Sequence, residues 1–209
     1  RGIKNASGNV VGLSAGGKSI YLAKPRKWGL LGDSIASQNI AVPTINTYYR
    51  GSGWLIWAMA RLGWPADIQM ADNYAAGGAT TRNVIDSQIP LLRAANAITP
   101  YDRVFISVGT NDSANGNSLS TMIAEQLELI DAITGMGITP VHIGILPRGN
   151  DGAMTDAKRK NLRVNDFLAH YAATTGRLEY IHGCHESVAN NATAYGNALT
   201  SMMDVNILH

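Results

Sequence analysis

Four short stretches of this chain carry side chains whose types and spacing could do chemistry. Gly32-Asp33-Ser34 sets a hydroxyl beside a carboxylate where the apolar run "KWGLL" ends; residues 73–81 read "NYAAGGATT"; residues 109–112 read "GTND"; and the chain closes with "SMMDVNILH". A serine hydroxyl is a poor nucleophile until a base takes its proton, so a histidine oriented by an acid has to arrive from elsewhere in the sequence. Backbone N–H groups and an asparagine amide donate hydrogen bonds without bringing charge, which is what a developing oxyanion needs. Singly, each stretch has a commoner use. Gly-Asp-Ser turns a strand into a capped helix, paired glycines punctuate a loop, and Gly-Thr-Asn-Asp makes an Asx turn.

Alternating strands and helices must position these residues. "WGLLG", "ADIQMADN", "DRVFISVGT" and "TPVHIGILP" read as strands, while "GWLIWAMARLG" and "NVIDSQIPLLRAAN" between them read as helices. In residues 118–137, Leu119, Met122, Ile123, Leu127, Ile130 and Ile133 recur at helical intervals up to a glycine. The last helix opens at an N-cap, Thr155, aligns Leu162, Phe167, Leu168 and Tyr171 on one flank, and stops at Gly176. Strands that alternate with helices run parallel, which predicts a three-layer α/β/α sandwich with a mainly parallel, flavodoxin-like sheet. Residues 9–22 predict a short β-hairpin about Ala15-Gly16-Gly17, so the chain divides into an accessory segment, 1–24, and a main domain, 25–209. Open parallel sheets hold ligands beyond the carboxyl ends of their strands, where the first three stretches fall.

In this order and on successive strands, the three blocks resemble those of the SGNH hydrolase superfamily, or GDSL-type esterases, over the chain from about Trp28 onward. The resemblance implies that Ser34 is the nucleophile. It implies an oxyanion hole made by the backbone N–H groups of Ser34 and Gly78 and the side-chain amide of Asn111. "ILPRGN", residues 145–150, resembles the family's fourth strand end, whose loop borders the pocket. Asp33 then braces the turn rather than reacting. The family ends in Asp-x-x-His, whereas here Asp204 lies five positions before His209 and Asn206 stands in the acid's place. His209 is the expected base, and Asp204, Asn206 and a backbone carbonyl all stay open as its orienting group. The implied activity is hydrolysis of short acyl esters through an acyl enzyme, with O-acetyl groups on a carbohydrate as the favoured substrate. The alternative is a non-catalytic carbohydrate-binding or structural module with an eroded triad.

Composition narrows the partners. The net charge is +2, and the basic run "KPRK" at 24–27 is too small for a nucleic-acid footprint. No apolar segment is long enough to cross a bilayer, so no membrane partner is expected. Neither GxGxxG nor GxxxxGK[ST] occurs in the glycine-rich block, and no cofactor is expected. His182 and His185 flank the lone Cys184 at a spacing that matches no familiar zinc pattern, so no metal is expected either. His142 falls within an apolar strand and His170 within a helix, which makes both poorer bases than His209. Trp54 and Trp57 have the three-residue spacing of core packing, although with Tyr48 and Tyr49 they could border a sugar. Asn111 opens a glycosylation sequon, and as an oxyanion donor it has to stay bare. The chain begins at Arg1, which suggests a processed chain or part of a larger parent; a homo-oligomer is the other possibility. An extracellular or virion-associated setting is the expected one.

Overall fold

The computed structural model describes residues 2–4, 10–15, 18–21, 27–37, 55, 68, 70–146 and 155–182. Strands β1 (Gly2–Lys4), β2 (Val10–Ala15) and β3 (Lys18–Tyr21) form an antiparallel sheet in the order β1-β2-β3. Ala15 pairs with Lys18, so β2 and β3 make the hairpin foreseen around the glycine pair. Strand β1, paired along β2 from Gly2–Leu13 to Lys4–Val10, is an addition.

The main sheet comprises β4 (Trp28–Gly32), β5 (Arg103–Ser107), β6 (Thr139–Ile143) and β7 (Glu179–Ile181), all parallel and in that order. Successive residues point to opposite faces. Leu30 lies in the core on one face with Trp28, Phe105, Val141 and Ile143; Leu31 lies in the core on the other with Val104, Ile106, Leu92 and Leu129. Trp28 and Phe105 meet edge to face at 5.3 Å between centroids. Helices cover both faces, giving a three-layer α/β/α arrangement.

The segment that follows β4 in space is only partly the strand expected at 66–73. Its described residues give a single 3-10 turn, Met70–Asp72, and one parallel bridge, Asn73 to Leu30. The reason lies in Asp72, whose buried carboxylate is held by Lys27 Nζ at 3.1 Å and by the Tyr101 hydroxyl. A tight turn brings that carboxylate inward where an extended chain would not. Beyond it, the N–H groups of Tyr74 and Ala76 donate to Leu30 O and Gly32 O, at 2.9 and 3.0 Å, so residues 73–76 run beside β4 on the side away from β5. The chain therefore leaves β4 toward one neighbour and later returns on the other side. That reversal makes β4 the topological switch point, where open α/β sheets form their crevice.

Residues 81–98 are helical throughout but not uniform. Helix α2 (Thr81–Asn83) is capped by Thr80 in a reciprocal pair with Asn83. It passes into a π-helical turn, Val84–Gln88, in which Ile89 N–H reaches back five residues to Val84 O, and then into α3 (Ile89–Ile98). Pro90 explains the wide turn, because an α-helix would drive its ring against the carbonyl four residues earlier. Helix α4 (Thr110–Ala114) follows β5, α5 (Leu119–Thr134) precedes β6, and α6 (Asp156–Thr175) precedes β7. The expected caps are present: Thr155 Oγ1 accepts from Lys158 N–H, and Gly176 closes α6 in the left-handed conformation.

The buried side of α6 differs from the apolar flank read in the sequence. Asn161, Val164, Asn165 and Leu168 are buried, while Leu162, Phe167 and Tyr171 are only partly so. Asn165 exchanges two hydrogen bonds with the main chain of Ile145, at 2.7 and 2.9 Å, and Asn161 Nδ2 donates to Leu146 O at 3.0 Å. The asparagines are buried because they complete the backbone bonding of the segment leaving β6.

Candidate active site

Ser34 stands at the carboxyl end of the switch-point strand as the first residue of a short helix, α1 of the chain (Ser34–Ser37), and is exposed. Its surroundings are rigid. Asp33 is buried, its Oδ1 accepts from Ile35 N–H at 2.9 Å, its carbonyl accepts from Ser37 N–H at 2.8 Å, and its own N–H donates to Ser107 O at 3.1 Å. The carboxylate beside the hydroxyl thus caps a helix, and the main-chain N–H of the same residue fastens it to β5. Gly32 is required for the approach: it has φ 151°, and a Cβ there would sit 2.2 Å from Ser107 O.

Hydrogen bonds draw the second block against the first. Asn73 Nδ2 donates to Ala36 O at 3.4 Å, its Oδ1 accepts from Ala75 N–H at 3.1 Å, and Ala76 N–H binds Gly32 O. The chain then reverses, with Ala79 N–H bonded to Ala76 O and Gly78 exposed at φ 77°. No described atom lies within 4 Å of where a Gly78 Cβ would be. Glycine serves the backbone conformation here rather than a close contact. The N–H groups of Ser34 and Gly78 have no hydrogen-bond partner among the described residues.

The third block closes the group. Asn111 Nδ2 donates one hydrogen to Ala79 O at 2.9 Å; the second N–H of that amide has no partner among the described residues. Next to it, the buried carboxylate of Asp112 accepts Thr81 N–H on both oxygens, at 3.0 and 3.1 Å. Burial raises the Asp112 pKa above the ordinary carboxylate value, and the bonds from the Thr81 N–H and hydroxyl oppose that rise. The Thr81 oxygen in turn accepts from Gln126 Nε2 at 3.1 Å, and Gln126 Oε1 lies 3.0 Å from His142 Nε2. His142 is fully buried, and burial pushes its pKa down to about 4, so the ring is neutral near neutral pH. With Nε2–H donating, hydrogen bonds run from His142 through Gln126 and Thr81 to Asp112. Sequence reasoning missed Thr81, Asp112 and Gln126. A signal was available in Gln126, a polar residue on the helix side shared by Met122, Leu129, Ile130 and Ile133.

His209, Asp204 and Asn206 lie outside the described residues, as do Trp54, Trp57, Cys184 and His185. Among the described residues no group of three or more His, Cys, Asp or Glu side chains is gathered to hold a metal, and no helix is long and apolar enough to cross a membrane.

A three-layer α/β/α fold with a parallel sheet whose strand order reverses at β4, and with an exposed serine at the end of that strand, is the flavodoxin-like fold of the SGNH type. The chain belongs to the GDSL-like lipase/acylhydrolase family, whose model matches residues 30–199. The matched range includes Ser34, Gly78 and Asn111 and ends before Asp204. Solved structures of the same fold include a single-site variant of an acetyl-xylooligosaccharide esterase from Geobacillus stearmophilus, at TM-score 0.63 and 16% identity, covering 84% of this chain and 93% of that one. Another is a member of the lipolytic G-D-S-L family from Veillonella parvula, at TM-score 0.60 and 18% identity, covering 86% of this chain and 97% of that one. A search of curated proteins found no match.

Proposed function

We propose that the main domain, residues 25–209, is a serine esterase that removes short acyl groups, acetyl foremost, from a carbohydrate, with the N-terminal sheet as an accessory. The observation that carries this reading is the meeting of the three blocks at the switch point: Ser34 exposed, Gly78 at the adjoining turn, and an Asn111 amide with one hydrogen to spare. Ser34 Oγ attacks the acyl carbon while His209 takes its proton. The carbonyl oxygen becomes an oxyanion, held by the N–H groups of Ser34 and Gly78 and by Asn111 Nδ2. Collapse of that intermediate expels the sugar oxygen, which takes the proton from the imidazolium. Water then attacks the acyl enzyme by the same route in reverse, releasing acetate and restoring the serine. Asp204, Asn206 or a backbone carbonyl orients the ring. Donors already tied in place cost no reorganisation when charge develops. Carbohydrate acetate is favoured because a structure of the same fold is described as an acetyl-xylooligosaccharide esterase and the sequence has no long apolar insert to cover a lipid chain. An extracellular or virion-associated location suits such a substrate. The test is acetate release from acetylated xylooligosaccharide by wild type and by Ser34→Ala. Release that depends on Ser34 supports the reading; equal rates overturn it, and glycan binding with no release from either favours the non-catalytic module.

A further inference from the structure

We propose that Gln88 is a positioning residue for the nucleophile, acting on Ser34 through the main chain of Gly32. The inference rests on the esterase reading. The Gln88 side chain is buried and makes two bonds to one residue: Gly32 N–H donates to Gln88 Oε1 at 2.9 Å, and Gln88 Nε2 donates to Gly32 O at 2.8 Å. Gly32 is the last residue of β4, where the ladder stops. Residues 73–76 bring it only a donor, Ala76 N–H to Gly32 O, so the amide of Gln88 supplies the acceptor that the buried Gly32 N–H needs. Glycine is the residue with the most backbone freedom, and here it is the second residue before Ser34. The nucleophile therefore follows a residue of wide intrinsic backbone range, and the clasp helps to fix the conformation that this residue takes. Asp33 N–H on Ser107 O holds the other side of the Gly32–Asp33 peptide, and Ser37 N–H on Asp33 O holds the Asp33–Ser34 peptide that follows.

A second observation is independent of these bonds. Gln88 is the final residue of the π-helical turn, and single π-turns within α-helices occur frequently at functional sites. Pro90 accounts for the turn's occurrence; the side chain the turn delivers to the end of β4 is a full amide rather than an apolar one.

Wild type, Gln88→Leu and Gln88→Glu are compared by circular dichroism, by kcat and KM on p-nitrophenyl acetate, and by the rate of Ser34 labelling with a fluorophosphonate. For folded Gln88→Leu the expected result is a kcat lower by about tenfold or more with KM within about twofold, and labelling slowed in parallel. Gln88→Glu keeps the acceptor but turns a carboxylate oxygen toward Gly32 O. Its activity relative to wild type is expected to be low near about pH 8 and to recover toward about pH 5.5, where a protonated carboxyl restores the missing donor. A folded Gln88→Leu with wild-type kcat and labelling overturns the inference. Should Gln88→Leu not fold, the Gln88→Glu ratio decides: recovery supports the inference and a ratio that stays flat with pH overturns it. A wild type that neither hydrolyses the ester nor labels at Ser34 overturns the esterase reading, and this inference with it.

Discussion

Asn111 Nδ2 donates to the carbonyl of Ala79 at 2.9 Å, so the second residue of α4 is fixed to the residue directly after the Gly77-Gly78 turn. One amide hydrogen holds the loop, and in the proposed mechanism the other binds the oxyanion. Asn111→Ala is therefore expected to lower kcat by about 10²–10³, or roughly 2.7–4 kcal/mol, the usual loss for one oxyanion donor. KM should change little, because the bond to the oxyanion strengthens only in the transition state. Steady-state kinetics on acetylated xylooligosaccharide check this, and a rise in KM at constant kcat would place Asn111 in ground-state binding instead.

Gly32 and Gly78 both have positive φ but differ in their surroundings. A methyl at Gly78 meets no described atom, so Gly78→Ala should cost only the conformational penalty of the left-handed region, roughly 1–2 kcal/mol in urea unfolding. It should still lower kcat, since the turn that aims the Gly78 N–H would relax. Gly32→Ala sets a methyl 2.2 Å from a backbone carbonyl that the sheet does not allow to move, and no folded protein is expected from it. Comparable stability for the two variants would contradict this account of the strand end.

Much of the frame was legible because its signals are local. The apolar runs of β4 and β5, Thr155 as a cap and Gly176 as a stop each act within a few residues of where they stand. Gln88, Gln126, Asn161 and Asn165 were not legible, because a polar residue in an amphipathic pattern is read as facing water. They are buried here, and the partners of Asn161 and Gln88 lie 15 and 56 residues away along the chain. They complete hydrogen bonds where strands stop or helices meet them, a need visible only once the strands are aligned. The same holds for 66–73, where the partners of Asp72 are Lys27 and Tyr101.

His142 gives the fold an acid sensitivity of known sign. Its pKa falls from 6.5 to about 4 on burial, so between those values the unfolded chain binds the proton and the folded chain does not. Stability is therefore full above pH 6.5 and is lost as pH falls toward 4, by roughly 3 kcal/mol from this residue. Asp112 acts in the opposite sense: its raised pKa gives a contribution that is full below 3.8 and is lost as pH rises through its folded value. His142→Gln, which keeps an amide donor for Gln126, should unfold in urea with a flatter dependence over pH 4 to 6.5. An unchanged slope would mean that the ring is not the group that titrates.

Under the esterase reading Asp112 couples activity to stability, since its carboxylate accepts the Thr81 N–H while its neighbour in the chain is Asn111. Asp112→Leu leaves that buried N–H without an acceptor, and an unsatisfied buried donor costs about 1–3 kcal/mol. Asp112→Asn retains one amide oxygen for the same bond and should stay closer to wild type in urea midpoint. Both should lower kcat, because α4 and the start of α2 are joined at this carboxylate, and any shift there moves the Asn111 amide relative to Ala79. The Leu variant should be the slower of the two. The opposite order, with Asp112→Asn the less stable and the slower, would show that charge at Asp112 matters more than its hydrogen-bond geometry.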